Sequence, residues 1–280
     1  MTSIYIDAIK EANPPEEFGE DVDAACEAIK EACAGWGTDE DGLIQALGKL
    51  SPDMRYLVSL RYTELYGGKG LDYVMDSECG DGNFGKALQF CAVSQVRAEA
   101  AMLRLFMQGV GAKEELMYPI LGGRTNEEMN LLKQTYFEQY EEDLAVRMAS
   151  ELGGDFERFS FHCLQAMEAE FDPDFHTAEK VDEDVETFYE AGQGSWGTDE
   201  KGVFEMVAKA PKEHLEAINE AYQAKYEKTL EEVLDSELGG DLEKAVRHAV
   251  GMKLDPVNQV MILFDRACKG FGTNEMLLTS

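Results

Sequence analysis

The chain has 280 residues, which is enough for one or two domains with a large buried core. Hydrophobic residues make up 44% and charged residues 29%, a balance typical of globular proteins and not of disordered ones. With 56 acidic and 25 basic residues, the formal net charge is −31. Because like charges repel, this excess argues against direct binding to nucleic acid or anionic lipid, and it leaves open binding that a divalent cation mediates.

The cysteines and the hydrophobic pattern bear on location. The six cysteines form no C-x-x-C pair, and we interpret them as reduced thiols of a cytosolic protein. The N-terminal residues show no basic region followed by an apolar run, so we expect no signal peptide. No apolar stretch approaches the roughly 20 residues that span a bilayer. Any membrane contact is therefore expected to be peripheral.

A glycine-rich string recurs four times along the chain. It reads GWGTDE at 35–40, GVGAKE at 109–114, GSWGTDE at 194–200 and GFGTNE at 270–275. The last glycine of each string serves as an anchor for comparing the units: Gly37, Gly111, Gly197 and Gly272. Such self-similarity indicates an array of related structural units.

Two further features keep register with these anchors. Tyrosine pairs at i, i+4, a spacing that puts both rings on one helix face, follow the first three anchors at equal distance. They are Tyr62 and Tyr66, Tyr136 and Tyr140, and Tyr222 and Tyr226. Glu151 and Glu237 follow their anchors at equal distance in the string SELGGD. Glu78, in DSECGD, comes one residue later, because the glycine-rich stretch at 67–70 has an extra residue.

The units are predicted to consist of short helices. Apolar residues recur at helical spacing in segments such as 127–144 and 212–234, and alternating Val- and Ile-rich runs are scarce. We therefore predict an all-α protein without strands. The acidic segment 169–184 contains Pro173 and is predicted to be a linker between the second and third units.

The chemistry of the glycine-rich strings suggests calcium binding. As a simple turn, the glycines end one helix in a left-handed conformation, and Thr38 caps the next helix. Two closely spaced glycines also let main-chain carbonyls turn outward together. Calcium prefers roughly six to eight oxygen ligands, including carbonyls and a bidentate carboxylate. The recurrent glutamate is able to supply that carboxylate, so we expect both a turn and a metal site.

A large apolar residue stands just before the anchor glycine of every string. These residues are Trp36, Val110, Trp196 and Phe271, and they include both tryptophans of the chain. An exposed apolar side chain is costly in water unless it contacts something, and tryptophan favours the bilayer interface. We expect these side chains to contact a membrane. The alternative is that the rings fold back onto the core.

The strings, the partner glutamates and the sequence FYEAGQGSWGTDE at 188–200 resemble the annexin family, from about residue 20 to the end of the chain. The resemblance implies the annexin fold of five-helix repeats of about 70 residues, three of them complete and a fourth truncated. The implied organisation is an N-terminal segment at 1–20, repeats at 21–92 and 93–168, the linker at 169–184, a repeat at 185–254, and the start of a fourth repeat at 255–280.

The resemblance also implies a ligand set for Ca²⁺ in each loop, with carbonyls from the string and one carboxylate. The positions are Cys33, Gly35 and Gly37 with Glu78; Met107, Gly109 and Gly111 with Glu151; Gly192, Ser195 and Gly197 with Glu237; and Cys268, Gly270 and Gly272, which no partner glutamate follows. The second string departs from the family pattern at Ala112, where threonine is usual.

The implied function is calcium-dependent, peripheral binding to anionic, phosphatidylserine-like membranes at their cytosolic face. Several loops on one convex face would act together, so that avidity strengthens weak single sites. We expect a cytoplasmic protein that is monomeric in solution and binds no nucleic acid. The alternative is a calcium-independent annexin-like scaffold of membrane or cytoskeleton, with cytoskeletal proteins as partners, as in the giardins. The intact glycine loops and glutamates argue against that alternative.

We do not expect an enzyme. The sequence contains no G-x-S-x-G, P-loop or H-E-x-x-H motif, and its four histidines stand singly. The ligand order of an EF-hand is absent as well.

Overall fold

The computed structural model describes residues 17–35, 37–80, 82–109, 111–192, 200–269 and 272–279. These residues contain helices and no strand, which confirms the all-α prediction. The helices are α1 (Glu20–Ala32), α2 (Glu40–Leu47), α3 (Pro52–Tyr66), α4 (Leu71–Cys79), α5 (Asn83–Cys91), α6 (Gln95–Phe106), α7 (Glu114–Leu121), α8 (Asn126–Tyr140), α9 (Leu144–Glu151), α10 (Gly154–Leu164), α11 (Ala178–Gly192), α12 (Glu200–Lys209), α13 (Lys212–Tyr226), α14 (Leu230–Glu237), α15 (Gly240–Leu254), α16 (Pro256–Cys268) and α17 (Glu275–Thr279).

The helices fall into groups of five. Helices α1–α5, α6–α10 and α11–α15 form three such groups, and α16 and α17 begin another, as expected for five-helix repeats. Helix α11 begins at Ala178, so the end of the segment predicted as a linker, 169–184, is helical. None of the helices in the described ranges combines the length and the hydrophobicity of a bilayer-spanning segment.

The chain divides into two compact units. The first extends to Met102 and includes Gln134–Glu141, and the second contains Leu103–Lys133 and Glu142–Leu278. In the first unit, α1 packs against α2 and α3, and α4 packs against α3 and α5. Burial of apolar side chains between these helices is the main favourable contribution to their stability. This core includes Val22, Cys26, Ile29, Leu43, Leu47, Val58, Tyr62, Leu71, Met75 and Leu88.

In the second unit, α15 is the central helix. It packs against α7, α10, α12, α13, α14 and α16. Its buried residues lie on several faces and include His248, Ala249 and Val250. A helix that has neighbours on most of its faces must bury polar as well as apolar side chains, and His248 is such a case.

Local sequence explains where the helices begin and end. Thr229 and Glu232 form a capping box at the start of α14, because each side chain accepts a main-chain N–H of the other residue. Two segments with continuous helical periodicity are each divided by a glutamate with a left-handed main chain, Glu141 (φ 51°) and Glu227 (φ 59°). These residues separate α8 from α9 and α13 from α14.

The tyrosine pairs lie as the sequence predicts. The ring centroids are 4.7 Å apart for Tyr62 and Tyr66 and 4.9 Å apart in the other two pairs. The first tyrosine of every pair is buried, so the pair anchors its helix to the core on one side.

Candidate calcium-binding loops

In three of the four glycine-rich strings, the described residues share one feature of the connection between two helices. In each, one main-chain hydrogen bond closes the loop between the helix that ends and the helix that begins. The N–H of Asp39 donates to Ala32 O (2.9 Å), that of Lys113 to Phe106 O (2.9 Å), and that of Asn274 to Ala267 O (2.7 Å). Most of the third string, residues 194–199, lies outside the described residues.

The loop glycines have main-chain conformations that other residues rarely adopt. The φ angles are +114° at Gly35, +90° at Gly37, +98° at Gly109, +83° at Gly111 and +94° at Gly272. A Cβ atom at these positions would meet nothing within 4 Å. Glycine is therefore needed here for its main-chain conformation and not for lack of space. The prediction that the glycines leave the helix with positive φ is confirmed at these positions.

In the first loop, the structure joins the predicted glutamate to Thr38, the residue that follows Gly37. Thr38 Oγ1 lies 3.1 Å from both the main-chain oxygen and the carboxylate Oε2 of Glu78, at the end of α4. The prediction that Thr38 caps α2 is wrong. The cap is Asp39, whose carboxylate accepts the N–H of Gly42 at 3.0 Å. The Thr38 hydroxyl instead joins the loop to Glu78 across the repeat.

Negative charge lies close to the Cys33 thiol of the first loop. Burial raises the pKa of the Cys33 thiol to about 11, and the negative charge of Glu78 contributes to the rise. Cys33 therefore stays a neutral thiol at physiological pH, and only its carbonyl is a suitable calcium ligand. In the part of the chain that the structure describes, no basic side chain pairs with Glu78.

The second loop differs because an arginine joins its predicted ligands. Nη2 of Arg147 donates to the carbonyl oxygen of Met107 at 2.7 Å and lies 3.1 Å from Oε1 of Glu151. The side chains of Arg147 and Glu151 are only 22% and 21% exposed. Sequence reasoning missed Arg147. The available signal was its position four residues before the partner glutamate, where the other two repeats have valine.

The predicted third and fourth sites lie partly within the described residues. Glu237 ends α14, and its Oε1 lies 3.3 Å from the hydroxyl of Ser236. Gly192 is the last residue of α11, and Cys268 is the last residue of α16. Ser195, Gly197 and Gly270 lie outside the described residues, as do all four predicted membrane-contact residues, Trp36, Val110, Trp196 and Phe271.

The donor set of the first loop suits calcium. Within the described ranges, no three His, Cys, Asp or Glu side chains converge into a metal-binding cluster. Main-chain carbonyls are the other oxygen atoms that these loops offer to a cation. Calcium is a hard cation that accepts carbonyl oxygens and one carboxylate as ligands, whereas zinc prefers nitrogen and sulfur.

Comparison with known proteins agrees with this architecture. The family model described as Annexin matches residues 98–160 and 183–248. Annexin A13 of Mus musculus is 33% identical over 260 residues, which cover 93% of this chain and 81% of that relative. The structure resembles that of chicken annexin V with a TM-score of 0.81 and 26% identity, covering 95% of this chain and 82% of that chain.

The structure of calcium-bound alpha-14 giardin has the same fold, with a TM-score of 0.77 at 18% identity, over 92% of this chain and 84% of that one. The helical groups and their glycine-rich loops define an all-α repeat protein. The chain belongs to the annexin family. Annexins generally bind phospholipid in a calcium-dependent way, peripherally to the membrane, and are generally not enzymes.

Proposed function

We propose that this annexin binds anionic, phosphatidylserine-like membranes through calcium held in its first and third loops. The observation that carries the proposal is the contact of Thr38 with Glu78, which links the carboxylate to the glycine-rich loop. The net charge of −31 supplies the physical reason for a metal. Without a cation, so acidic a protein and an anionic bilayer repel each other.

The proposed ligands in the first loop are the carbonyls of Cys33, Gly35 and Gly37 and the carboxylate of Glu78. In the third loop they are Gly192, Ser195, Gly197 and Glu237. Bound calcium supplies positive charge to which both the loop oxygens and a lipid phosphate are attracted. Two such loops on one chain bind more firmly than either alone, because the second attachment is intramolecular.

The apolar loop residues complete the proposal. Trp36 and Trp196 stand in the two calcium loops, and Val110 and Phe271 hold the same place in the other two strings. We expect these side chains to enter the interfacial region, where tryptophan is favoured. The proposed location is the cytosolic face of a membrane. The six free cysteines support it, because a reducing compartment keeps thiols unpaired.

A second candidate function is a calcium-independent scaffold, with cytoskeletal proteins as partners. One observation favours it for part of the molecule. Two of the four predicted ligands of the second loop, the Met107 carbonyl and the Glu151 carboxylate, already contact Arg147, which would hold that loop together without a metal.

Co-sedimentation with phosphatidylserine-containing vesicles, with calcium and with chelator, tests the proposal. The wild type should sediment only with calcium. A Glu78→Gln/Glu237→Gln variant should need roughly tenfold more calcium or more, because both carboxylate ligands are lost. The matched control is Glu27→Gln/Glu220→Gln, which makes the same change in charge on exposed helix surfaces. The control should behave as the wild type.

Two results would contradict the proposal. The first is no sedimentation at millimolar calcium, which would favour the scaffold. The second is an equal effect of the loop variant and the control, which would reduce the role of the glutamates to their contribution to net charge.

A further inference from the structure

We propose that the guanidinium of Arg147 takes the place of calcium in the second loop, so that this loop is held in its turn permanently and adds no calcium site. The inference rests on the proposed assignment of calcium to the other loops. According to this inference, the presence of Arg147 in the second repeat and of valine in the first and third repeats determines which loops bind calcium.

The geometry is that of a built-in cation. A single nitrogen, Nη2 of Arg147, lies 2.7 Å from the Met107 carbonyl and 3.1 Å from the Glu151 carboxylate. A calcium ion bound to the same two oxygens would lie about 2.3–2.6 Å from each, which is the space that this nitrogen occupies. A guanidinium stays charged at every physiological pH, so calcium has to displace a cation that cannot be neutralised.

Helices α4, α9 and α14, which carry the three partner glutamates, are equivalent in structure. The residues four positions before these glutamates can therefore be compared directly. In each helix, a serine hydroxyl donates to the carbonyl three residues earlier. Ser77 donates to Val74 (3.0 Å), Ser150 to Arg147 (2.7 Å) and Ser236 to Val233 (3.0 Å). Arg147 thus stands where the first and third repeats have a valine, a residue that contributes no charge to the loop.

Two other positions of the second loop differ from the first loop in a way that also disfavours a bound cation. The first loop uses the Thr38 hydroxyl to hold Glu78, but Ala112 at the matching position has no hydroxyl, and Glu151 is held by Arg147 instead. Where the first loop has the anionic cap Asp39, the second has Lys113, which makes no side-chain cap. Each of the three differences removes a side-chain oxygen from the loop or adds a positive charge to it.

The test measures calcium bound per chain by equilibrium dialysis. In the wild-type background, Glu151→Gln should leave the number of bound calcium ions unchanged, whereas Glu78→Gln and Glu237→Gln should each lower it by one. Arg147→Val should raise it by one, and adding Glu151→Gln to that variant should cancel the gain. The reciprocal variant Val74→Arg should lose the site of the first loop.

The outcomes separate this inference from the proposed function. A loss of one calcium ion in Glu151→Gln alone overturns the inference while leaving the function intact. That measurement does not depend on how well Arg147→Val folds. An Arg147→Val variant that has the circular dichroism spectrum of the wild type but binds no additional calcium ion overturns the inference as well. A wild type that binds no calcium rejects the proposed function, and the inference that rests on it fails with it.

Discussion

Replacing His248 with phenylalanine is expected to make the folding stability less sensitive to acid. His248 lies on the central helix α15, is 3% exposed, and packs edge-to-face against Tyr118 at a centroid distance of 5.4 Å. Burial, together with the positive charges of Arg124 and Arg266, lowers its pKa to about 3. The folded protein thus keeps this ring neutral at pH values where the unfolded chain protonates it.

The sign and size of the effect follow from this difference in pKa. The ordinary pKa of histidine is about 6.5, so between pH 6.5 and 3 the unfolded state binds a proton that the folded state does not. Stability is therefore fully present above pH 6.5 and is lost as the pH falls. With about 1.4 kcal/mol for each pKa unit, His248 alone accounts for a loss of about 2 kcal/mol between pH 7 and pH 5.

Urea unfolding followed by circular dichroism at pH 7 and pH 5 measures this loss. The phenylalanine variant keeps an aromatic ring against Tyr118 but has no titrating group. Its stability should fall by about 2 kcal/mol less than that of the wild type between the two pH values. The same difference in stability between pH 7 and pH 5 for both proteins would refute the reasoning.

Three further predictions concern the loops and the buried charge of the second unit. Thr38→Val should weaken calcium binding at the first loop about three- to tenfold by calorimetry, because a hydrogen bond to Glu78 is lost; Thr38→Ser should restore it. Gly37→Ala should lower stability by roughly 1 kcal/mol or more in thermal melts, since its φ is positive. The matched control Gly239→Ala changes a glycine with an extended φ of −143° and should lower stability less. Equal losses of stability in the two variants would contradict the argument that the positive φ at position 37 strains alanine. Lys253→Met should lower the free energy of unfolding, measured with urea, by about 3 kcal/mol, because Lys253 is buried and its Nζ lies 2.8 Å from the Glu168 carboxylate. A change of less than about 0.5 kcal/mol would show that the contact contributes little.

Much of the fold follows from patterns that are local in the sequence. The helical spacing of apolar residues and the recurring strings indicate repeated units of short helices, the resemblance to the annexin family implies five helices in each, and the structure confirms both. The tyrosine pairs are another example, because residues four apart on a helix always share a face. The boundaries between helices are harder to predict. Glu141 and Glu227 end their helices in the left-handed region, although the apolar period continues across both positions.

The contacts that distinguish one loop from another depend on tertiary structure. Thr38 suits a helix cap by its local sequence, yet its hydroxyl goes to Glu78, 40 residues away. Arg147 reads as one exposed charge on an amphipathic helix, yet it reaches the Met107 carbonyl, also 40 residues away. Both contacts arise because packing brings the end of one helix of the repeat to the turn after another. The sequence alone determined that these loops repeat and where their glycines stand, since main-chain conformation is a local property. Only the packing of the helices decided which side chain completes each loop, a carboxylate held by a hydroxyl in the first repeat and a guanidinium in the second.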